Sequence, residues 1–497
     1  AAERARVTEL EKERDLLRSS RDRLLQELEL LRRRIFVAKA ERVDTTQLEM
    51  DFVALLKQLD EASGTTPEKE RRARKESQGE DPERDKKKPT GRRDLSQMNL
   101  PEDRLEFIDK DLEKLVAEGK AKRVGWTTSS KVAYQRGGFL RLVIARADYQ
   151  VLDAHGETQL KTAPMPEECF PRSLAAPSAL AHVISDKFTD GLPFKRQESR
   201  AARDGLLIDR GTMCRWSEEA GATAGVTVVA AMLKESREKA FCIATDATGV
   251  AVQPDRKPEG GHQPCRRGHY FVLLADRDHV IFEYTPRETS AFVQEMLGGF
   301  SGYLQADAKS VYDVVFREPD KPPDAGEEDA LLKPPKEVGC WSHARRRVWE
   351  ATCAKSEIAR EGLARIGRIF ALEAAWRDEH HEVILRKRRE HLRPHLESFF
   401  AWAEVEYEKV KEQRGLLRSA LGYAIRQKDA LLRVLEDGRL VLDNNRSERA
   451  LRQIAVGRKA WLFVGSATHA RSSGHLLSLV ASCRLHAVEP ERYLEEL

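Results

Sequence analysis

No long hydrophobic run occurs in this sequence. The longest apolar-leaning stretch, Val226 to Leu233, is less than half of the roughly 20 residues a membrane-spanning helix needs. The opening residues are charged and heptad-like, with no signal-peptide core. A cytoplasmic protein without a membrane partner is expected. Cysteine is scarce too. Seven residues (169, 214, 242, 265, 340, 353 and 483) lie far apart, and no Cys-x-x-Cys pair occurs. That excludes a disulfide framework and a standard zinc ribbon, and leaves reduced thiols as the expectation. An excess of one charge is also missing: 86 Lys and Arg against 82 Asp and Glu leave a net +4. Net charge therefore says nothing about a polyanionic partner, and only its distribution can.

What is present is length and periodicity. A chain of 497 residues implies roughly two to four domains. Leu10, Leu17, Leu24 and Leu31 repeat every seven residues, with Val7, Leu28 and Ile35 at the companion position. This is a seam for self-association into a homodimer or higher oligomer, or one long helix packed on its own protein. Residues 1–62 are assigned to it. From Pro67 to Arg93 the only apolar side chain besides proline is Ala73, so residues 63–94 read as a flexible charged linker. Residues 95–165 have a mixed pattern, with a strand at Phe139 to Ile144, and suggest a small α+β domain.

Residues 166–236 are helical in pattern, broken at Asp190-Gly191-Leu192-Pro193 and at Gly205. Asp209 caps a helix running through Arg215 and Trp216, which gives a helix-turn-helix pattern. Its second helix would offer Arg210, Thr212 and Arg215 to DNA; ordinary helical packing explains the pattern equally. Basic clusters stand at Arg345-Arg346-Arg347, at Arg386-Lys387-Arg388-Arg389, and around Arg449, Arg452, Arg458 and Lys459.

From Lys239 the period becomes that of strands. Phe241 to Asp246 ends in an acid, Tyr270 to Ala275 and Val280 to Tyr284 form a hairpin, and a helix over Ser290 to Leu297 leads to the strand Gly302 to Asp307. A short strand follows at Glu337 to Cys340, then a long helical region. Three strands, a helix and a strand, with acids ending the first and fourth strands, is the order of a ribonuclease-H-like core. Asp246 and Asp307 would face one another there. Carboxylates so placed can hold two Mg2+ or Mn2+ ions about 3.5–4 Å apart, which stabilise the attacking and leaving oxygens of a phosphodiester. Asp443-Asn444-Asn445 signals a turn and N-cap, and the helix it starts carries Glu448 in its first turns. Arg449 and Arg452 follow at phosphate-holding spacing. Taken singly, each acid could be an ordinary surface residue.

The run from Leu442 to Ser466, headed by Asp443-Asn444-Asn445-Arg446-Ser447-Glu448-Arg449, closely resembles the transposases of the insertion-sequence-66 family. So do Cys340-Trp341-Ser342-His343-Ala344-Arg345-Arg346 and Gly302-Tyr303-Leu304-Gln305-Ala306-Asp307, and further segments around Leu180 and Leu192. The resemblance implies a DDE-type active site with Asp246, Asp307 and Glu448 as catalytic and metal-binding residues. It also implies a helical insertion between Asp307 and Glu448, and Cys340 and His343 as an element beside the site. His343 and Arg346 would touch scissile DNA, with Cys340, Asn444 and Asn445 structural. Trp376 and Trp402 could stack on an unpaired base, or simply pack in a helical core. Relatives carry a cysteine-rich zinc element where Ala121 to Asp153 lies here, but no cysteine precedes Cys169, so no structural zinc is expected.

The combined expectation is an α/β catalytic core, ribonuclease-H-like, over residues 237–341 and 441–497, split by an all-α insertion at 342–440. An N-terminal coiled coil and a helical DNA-binding region precede it. The implied function is a DDE transposase that binds double-stranded transposon ends, frees 3′-hydroxyls and joins them to target DNA. The rivals are a nuclease that only hydrolyses and a non-catalytic DNA-binding assembly factor. The need for element-encoded helper proteins stays open.

Overall fold

The computed structural model describes residue 95 and residues 98–135, 137–152, 157–167, 169–170, 173–254, 263–317, 333–352 and 356–497. The expected coiled coil and charged linker lie outside the described residues.

The first described region is a mixed four-stranded sheet. Strand β1 (Glu102–Phe107) is followed by helix α1 (Lys110–Ala117), the long strands β2 (Ala121–Gln135) and β3 (Gly138–Leu152), and β4 (Thr158–Thr162). β2 and β3 pair antiparallel along nearly their whole length. β1 runs parallel to β3 opposite Arg141 to Arg146, and β4 antiparallel opposite Asp148 to Leu152, so the two short strands share one edge of β3. Asp109 opens α1 by accepting from the Asp111 and Leu112 amides, as a short acidic cap should.

Helices α2 (Pro177–Phe188), α3 (Phe194–Arg203), α4 (Arg210–Ala220) and α5 (Val226–Lys239) follow, the last two joined by a wide turn at Gly221–Gly225. The breaks fall where glycine and proline interrupt the pattern. Gly205 has φ +86°, which an L side chain resists, and a Cβ there would lie 2.9 Å from the Asn99 carbonyl oxygen. Leu206 and Ile208 are buried beyond that turn, and Asp209 caps α4 through the Thr212 amide.

The second sheet has the order β7-β6-β5-β8-β9. β5 (Cys242–Val252), β6 (Arg266–Ala275) and β7 (His279–Thr285) form an antiparallel meander. After helix α6 (Ser290–Leu297), β8 (Tyr303–Gln305) pairs parallel with β5, and β9 (Lys336–Val338) pairs parallel with β8. β6 is buried along most of its length, as a strand covered on both faces must be. The expectation that Asp246 ends its strand is corrected: β5 runs on to Val252, because Ala247 to Val252 keep pairing with the far half of β6.

The insertion is helical: α7 (Trp341–Thr352), α8 (Glu357–Ala375), α9 (His381–Lys387), α10 (Arg393–Val410) and α11 (Leu416–Arg426). Trp341, Leu396, Phe399 and Phe400 form the centre of its core. Trp376 and Trp402 pack into the same cluster, so they serve the core and not a base stack. The chain returns through α12 (Asn445–Trp461), α13 (Ala467–Leu485) and α14 (Pro490–Glu496). α13 covers β7, the edge strand. Ser478 and Ser482 hydroxyls accept from the Phe282 and Val280 amides, satisfying donors that an uncovered edge would leave open.

Among the described residues, no helix is long and apolar enough to cross a membrane.

Candidate active site

The site forms where β5, β8, α7 and α12 meet. In the β5–β8 register Ala244 lies opposite Gln305. Asp246 stands two residues further along β5 and Asp307 two residues past the end of β8, so both acids lie at the same end of neighbouring parallel strands. Thr245, between the acids' neighbours and fully buried, meets the Tyr312 hydroxyl at 3.5 Å.

α12 brings the third acid. The Asn444 side chain does not cap its own helix, as the turn pattern suggested; its Nδ2 donates to the Thr245 carbonyl at 2.7 Å. Its backbone N–H donates to Cys340 Sγ at 3.3 Å. Asp443 takes over at the helix start, accepting from the Asn445 backbone and side-chain N–H groups. Thus one asparagine joins the strand bearing Asp246, the strand-to-helix corner at Cys340 and the helix bearing Glu448. Burial pushes the Cys340 thiol up to about 11, so it is a packed thiol and not a ready thiolate.

The electrostatics are those of an anionic cleft. Burial, then the Asp307 charge, pushes the Asp246 carboxyl up to about 7. Glu448 acts in the same direction and Lys309 against it. One Asp307 oxygen, Oδ1, is buried without a hydrogen-bond partner. The other is 3.2 Å from Lys309 Nζ, which also lies 3.4 Å from Glu288 Oε1. Burial opposes the Lys309 charge, but Asp307, Glu288 and Asp246 outweigh it and raise its pKa. His343 Nε2 lies 3.7 Å from Glu448 Oε1, while its Nδ1 is buried and unpartnered. Burial holds His343 below its ordinary value, helped by Arg346 and Arg347 and opposed by Asp307 and Glu448.

Among the described residues no group of three or more His, Cys, Asp or Glu side chains is close enough to hold a metal ion as arranged. The donor chemistry nevertheless suits a hard divalent cation. Two neighbouring carboxylates, one with an orphaned buried oxygen, share the single charge of Lys309.

Sequence reasoning named Asp246, Asp307, Glu448 and His343, which come together here, with Asn444, Asn445 and Cys340 beside them. It missed Lys309, Glu288, Thr245 and Tyr312. Lys309 was within reach, since a residue two places after Asp307 can return to the same side. Arg346, Arg449, Arg452 and Lys459 are exposed, as are Arg210 and Arg215, whereas Thr212 is half-buried. Arg458 is engaged otherwise: its guanidinium donates to the Gly249 carbonyl at 2.7 Å and lies 3.3 Å from Thr248 Oγ1, fastening α12 to β5. The Arg386 to Arg389 cluster is also largely structural. Arg388 is buried, Lys387 pairs with Glu379, and Arg389 donates to the Leu435 carbonyl.

Uncharacterized protein y4qI of Sinorhizobium fredii is 26% identical over 374 residues, covering 72% of this chain and 65% of its own length. Uncharacterized protein y4hP of the same organism is 25% identical over 361 residues, covering 67% and 61%. The chain thus spans somewhat less than two thirds of the length of these relatives. The family model described as "Transposase IS66 family" matches residues 172–472, more than half of the chain and including all three acids. The chain belongs to the IS66 family of transposases.

Proposed function

We propose that this chain is a DDE-type DNA transposase whose α/β core is ribonuclease-H-like. Asp246, Asp307 and Glu448 would be its catalytic carboxylates. The observation that carries this reading is the convergence of Asp246 on β5 with Asp307 just past the end of the neighbouring parallel β8, close enough for the Asp307 charge to raise the Asp246 carboxyl, with Glu448 on a helix tied to β5 by Asn444. Asp246 and Asp307 would hold divalent metal, Mg2+ or Mn2+, together with Glu448; when bound, such ions stabilise the attacking and leaving oxygens of a phosphodiester.

The protein's own residues do the positioning. Lys309 draws Asp307 and Glu288 together and limits repulsion between the acids. His343, whose pKa burial lowers, stands with Nε2 3.7 Å from Glu448 Oε1. Arg346, Arg449, Arg452 and Lys459 supply exposed positive charge around it, suited to DNA phosphates. Arg210, Thr212 and Arg215 on α4 would contact the duplex of the transposon ends, and the leucine heptads of residues 1–62 support a homodimer or higher oligomer. Fixed charges in fixed places would carry the catalysis.

The test is incubation of purified protein with labelled candidate element ends and Mg2+ or Mn2+. Cleavage freeing 3′-hydroxyls, and joined products from pre-cut ends, are expected. Asp246→Asn, Asp307→Asn and Glu448→Gln should each abolish both. Cleavage without joining would make the protein a nuclease, and activities unchanged in all three variants would leave it a DNA-binding assembly factor.

A further inference from the structure

A cleft of about 920 Å³ opens between α3, α4 and the second half of α12. Its volume lies at the upper end of the range of about 300–1,000 Å³ usual for ligand sites. Six basic side chains line it (Lys187, Lys195, Arg196, Arg210, Arg449 and Arg452) against one acid, Asp190. Among the described residues no carboxylate pairs with Lys187, Arg196, Arg210 or Arg452, although Lys195 pairs with Glu198. Their charge is available to an anion.

The floor is aromatic. Phe188, Phe194 and Trp461 surround the Lys187 ammonium, which sits 4.1 Å from the Phe194 ring centre and 5.7 Å from that of Trp461. Burial pulls that ammonium down to about 8, so it is a charge held against its desolvation cost without a counter-ion. The Trp461 indole lies across Gly457, where a Cβ would come within 2.6 Å of Nε1. Glycine is what lets the ring reach the cleft. The lip beyond is apolar and open: Leu462 is 68% exposed, with φ +64° in the left-handed region, and Phe463 is 46% exposed. The half-buried Trp461 ring beneath a cationic rim matches a nucleotide whose base is unpaired, because an unpaired base exposes its π face and brings its phosphate with it. A paired base exposes only its edge.

We propose that this cleft binds an unpaired nucleotide of the DNA substrate, its base against Trp461 and its phosphates on Arg196, Arg210 and Arg452. The inference rests on the transposase reading for its substrate. It extends that reading because α12 carries both Glu448 and the wall of the cleft, with Arg449 next to the acid. A DNA end unpaired at its tip would thereby be anchored on the helix that carries Glu448, roughly 20 Å along its axis from the acid.

The test is fluorescence anisotropy without divalent ions, comparing a duplex bearing a short 3′ thymidine overhang with the same duplex blunt. The full chain should prefer the overhang by about tenfold or more. Trp461→Ala should remove the preference and leave blunt binding intact, whereas Trp461→Phe should keep most of it. Arg196→Gln should weaken overhang binding and flatten its salt dependence. An overhang carrying 5-iodouracil should crosslink within residues 193–210 or 456–463. Equal affinity for the two duplexes, a preference that survives Trp461→Ala, or crosslinks elsewhere would each overturn the cleft assignment. Binding of neither duplex would overturn the transposase reading itself, so the two failures are distinct.

Discussion

Asn444 Nδ2 donates to the Thr245 carbonyl at 2.7 Å across 199 residues of sequence. This bond sets where the helix bearing Glu448 begins relative to the strand bearing Asp246. It is almost fully buried, so its loss strands a carbonyl away from water. Asn444→Ala should lower stability by about 1–3 kcal/mol. Asn444→Asp should do worse than its size suggests, because it puts a carboxylate oxygen against a carbonyl and close to Asp246. Thermal melts and an end-cleavage assay would check this: both variants should lose cleavage even under conditions where they remain folded. Full activity in folded Asn444→Ala would deny the residue its positioning role.

The acid pair makes a second prediction, independent of catalysis. Asp246 is pushed up to about 7 by burial and by Asp307, so above that pH two neighbouring carboxylates are ionised in metal-free protein. Asp246→Asn removes that repulsion at nearly constant shape. Without metal, at pH 8, it should melt higher than wild type by a few degrees, on the order of 1 kcal/mol or more. Adding Mg2+ should raise the wild-type melting temperature through preferential binding to the folded state, and should raise that of the variant little. Differential scanning fluorimetry gives both numbers. A metal response that is the same in both proteins would remove Asp246 from the metal site.

These two cases show which parts of the site were legible. Asp246 and Asp307 stood out because each follows an apolar strand-like run, and burial on both faces writes such runs plainly. The continuation of β5 past Asp246 did not, since Ala247-Thr248-Gly249 is weakly apolar and its strand geometry comes from pairing with β6. Asn444 looked like a helix cap because asparagine before a helix usually is one. That its amide reaches another element is a tertiary fact with no local signature. Arginine misled for the same reason: Arg388 and Arg458 look alike in sequence to Arg452, and only the carbonyls around the first two separate anchors from exposed charge. The small sheet of β1 to β4 was visible only at Phe139 to Ile144, where the apolar pattern is densest.

Arg388 yields the third prediction. It is 1% exposed, pairs with Glu373, and donates to the carbonyls of Val434, Asp437 and Leu440. It therefore clamps the segment that leads from the insertion into α12. Arg388→Ala leaves Glu373 and three carbonyls without their donor and should cost about 3–5 kcal/mol. Arg388→Lys keeps the charge but cannot reproduce the planar fork, and should recover only part of that loss. Chemical denaturation of the two variants provides the comparison; equal stability of Arg388→Lys and wild type would refute the clamp.

His469 links the cleft to pH. Its side chain is buried beside Cys214, and burial followed by the Lys187 charge lowers its pKa from 6.5 to about 4. Above pH 6.5 the ring is neutral in both folded and unfolded chains and adds no pH dependence. Between pH 6.5 and 4 the unfolded chain takes up a proton that the folded chain refuses, so stability falls as pH falls. The full difference, reached near pH 4, is on the order of 3 kcal/mol. Asp246 and Glu283, both raised to about 7, oppose this in part of the same range, since their burial favours the protonated acid and hence folding at lower pH. The wild-type slope is therefore a sum, and the informative quantity is its difference from His469→Gln. Urea unfolding at pH 7 and pH 5 should show the variant losing less stability on acidification than wild type, whatever its stability at pH 7. Above pH 7 the two should run parallel, because the ring is neutral in both states there and Lys187, lowered to about 8, titrates in both proteins. Parallel behaviour between pH 7 and pH 5 as well would mean that His469 titrates as it does in water, and that this side of the cleft is wetter than its packing implies.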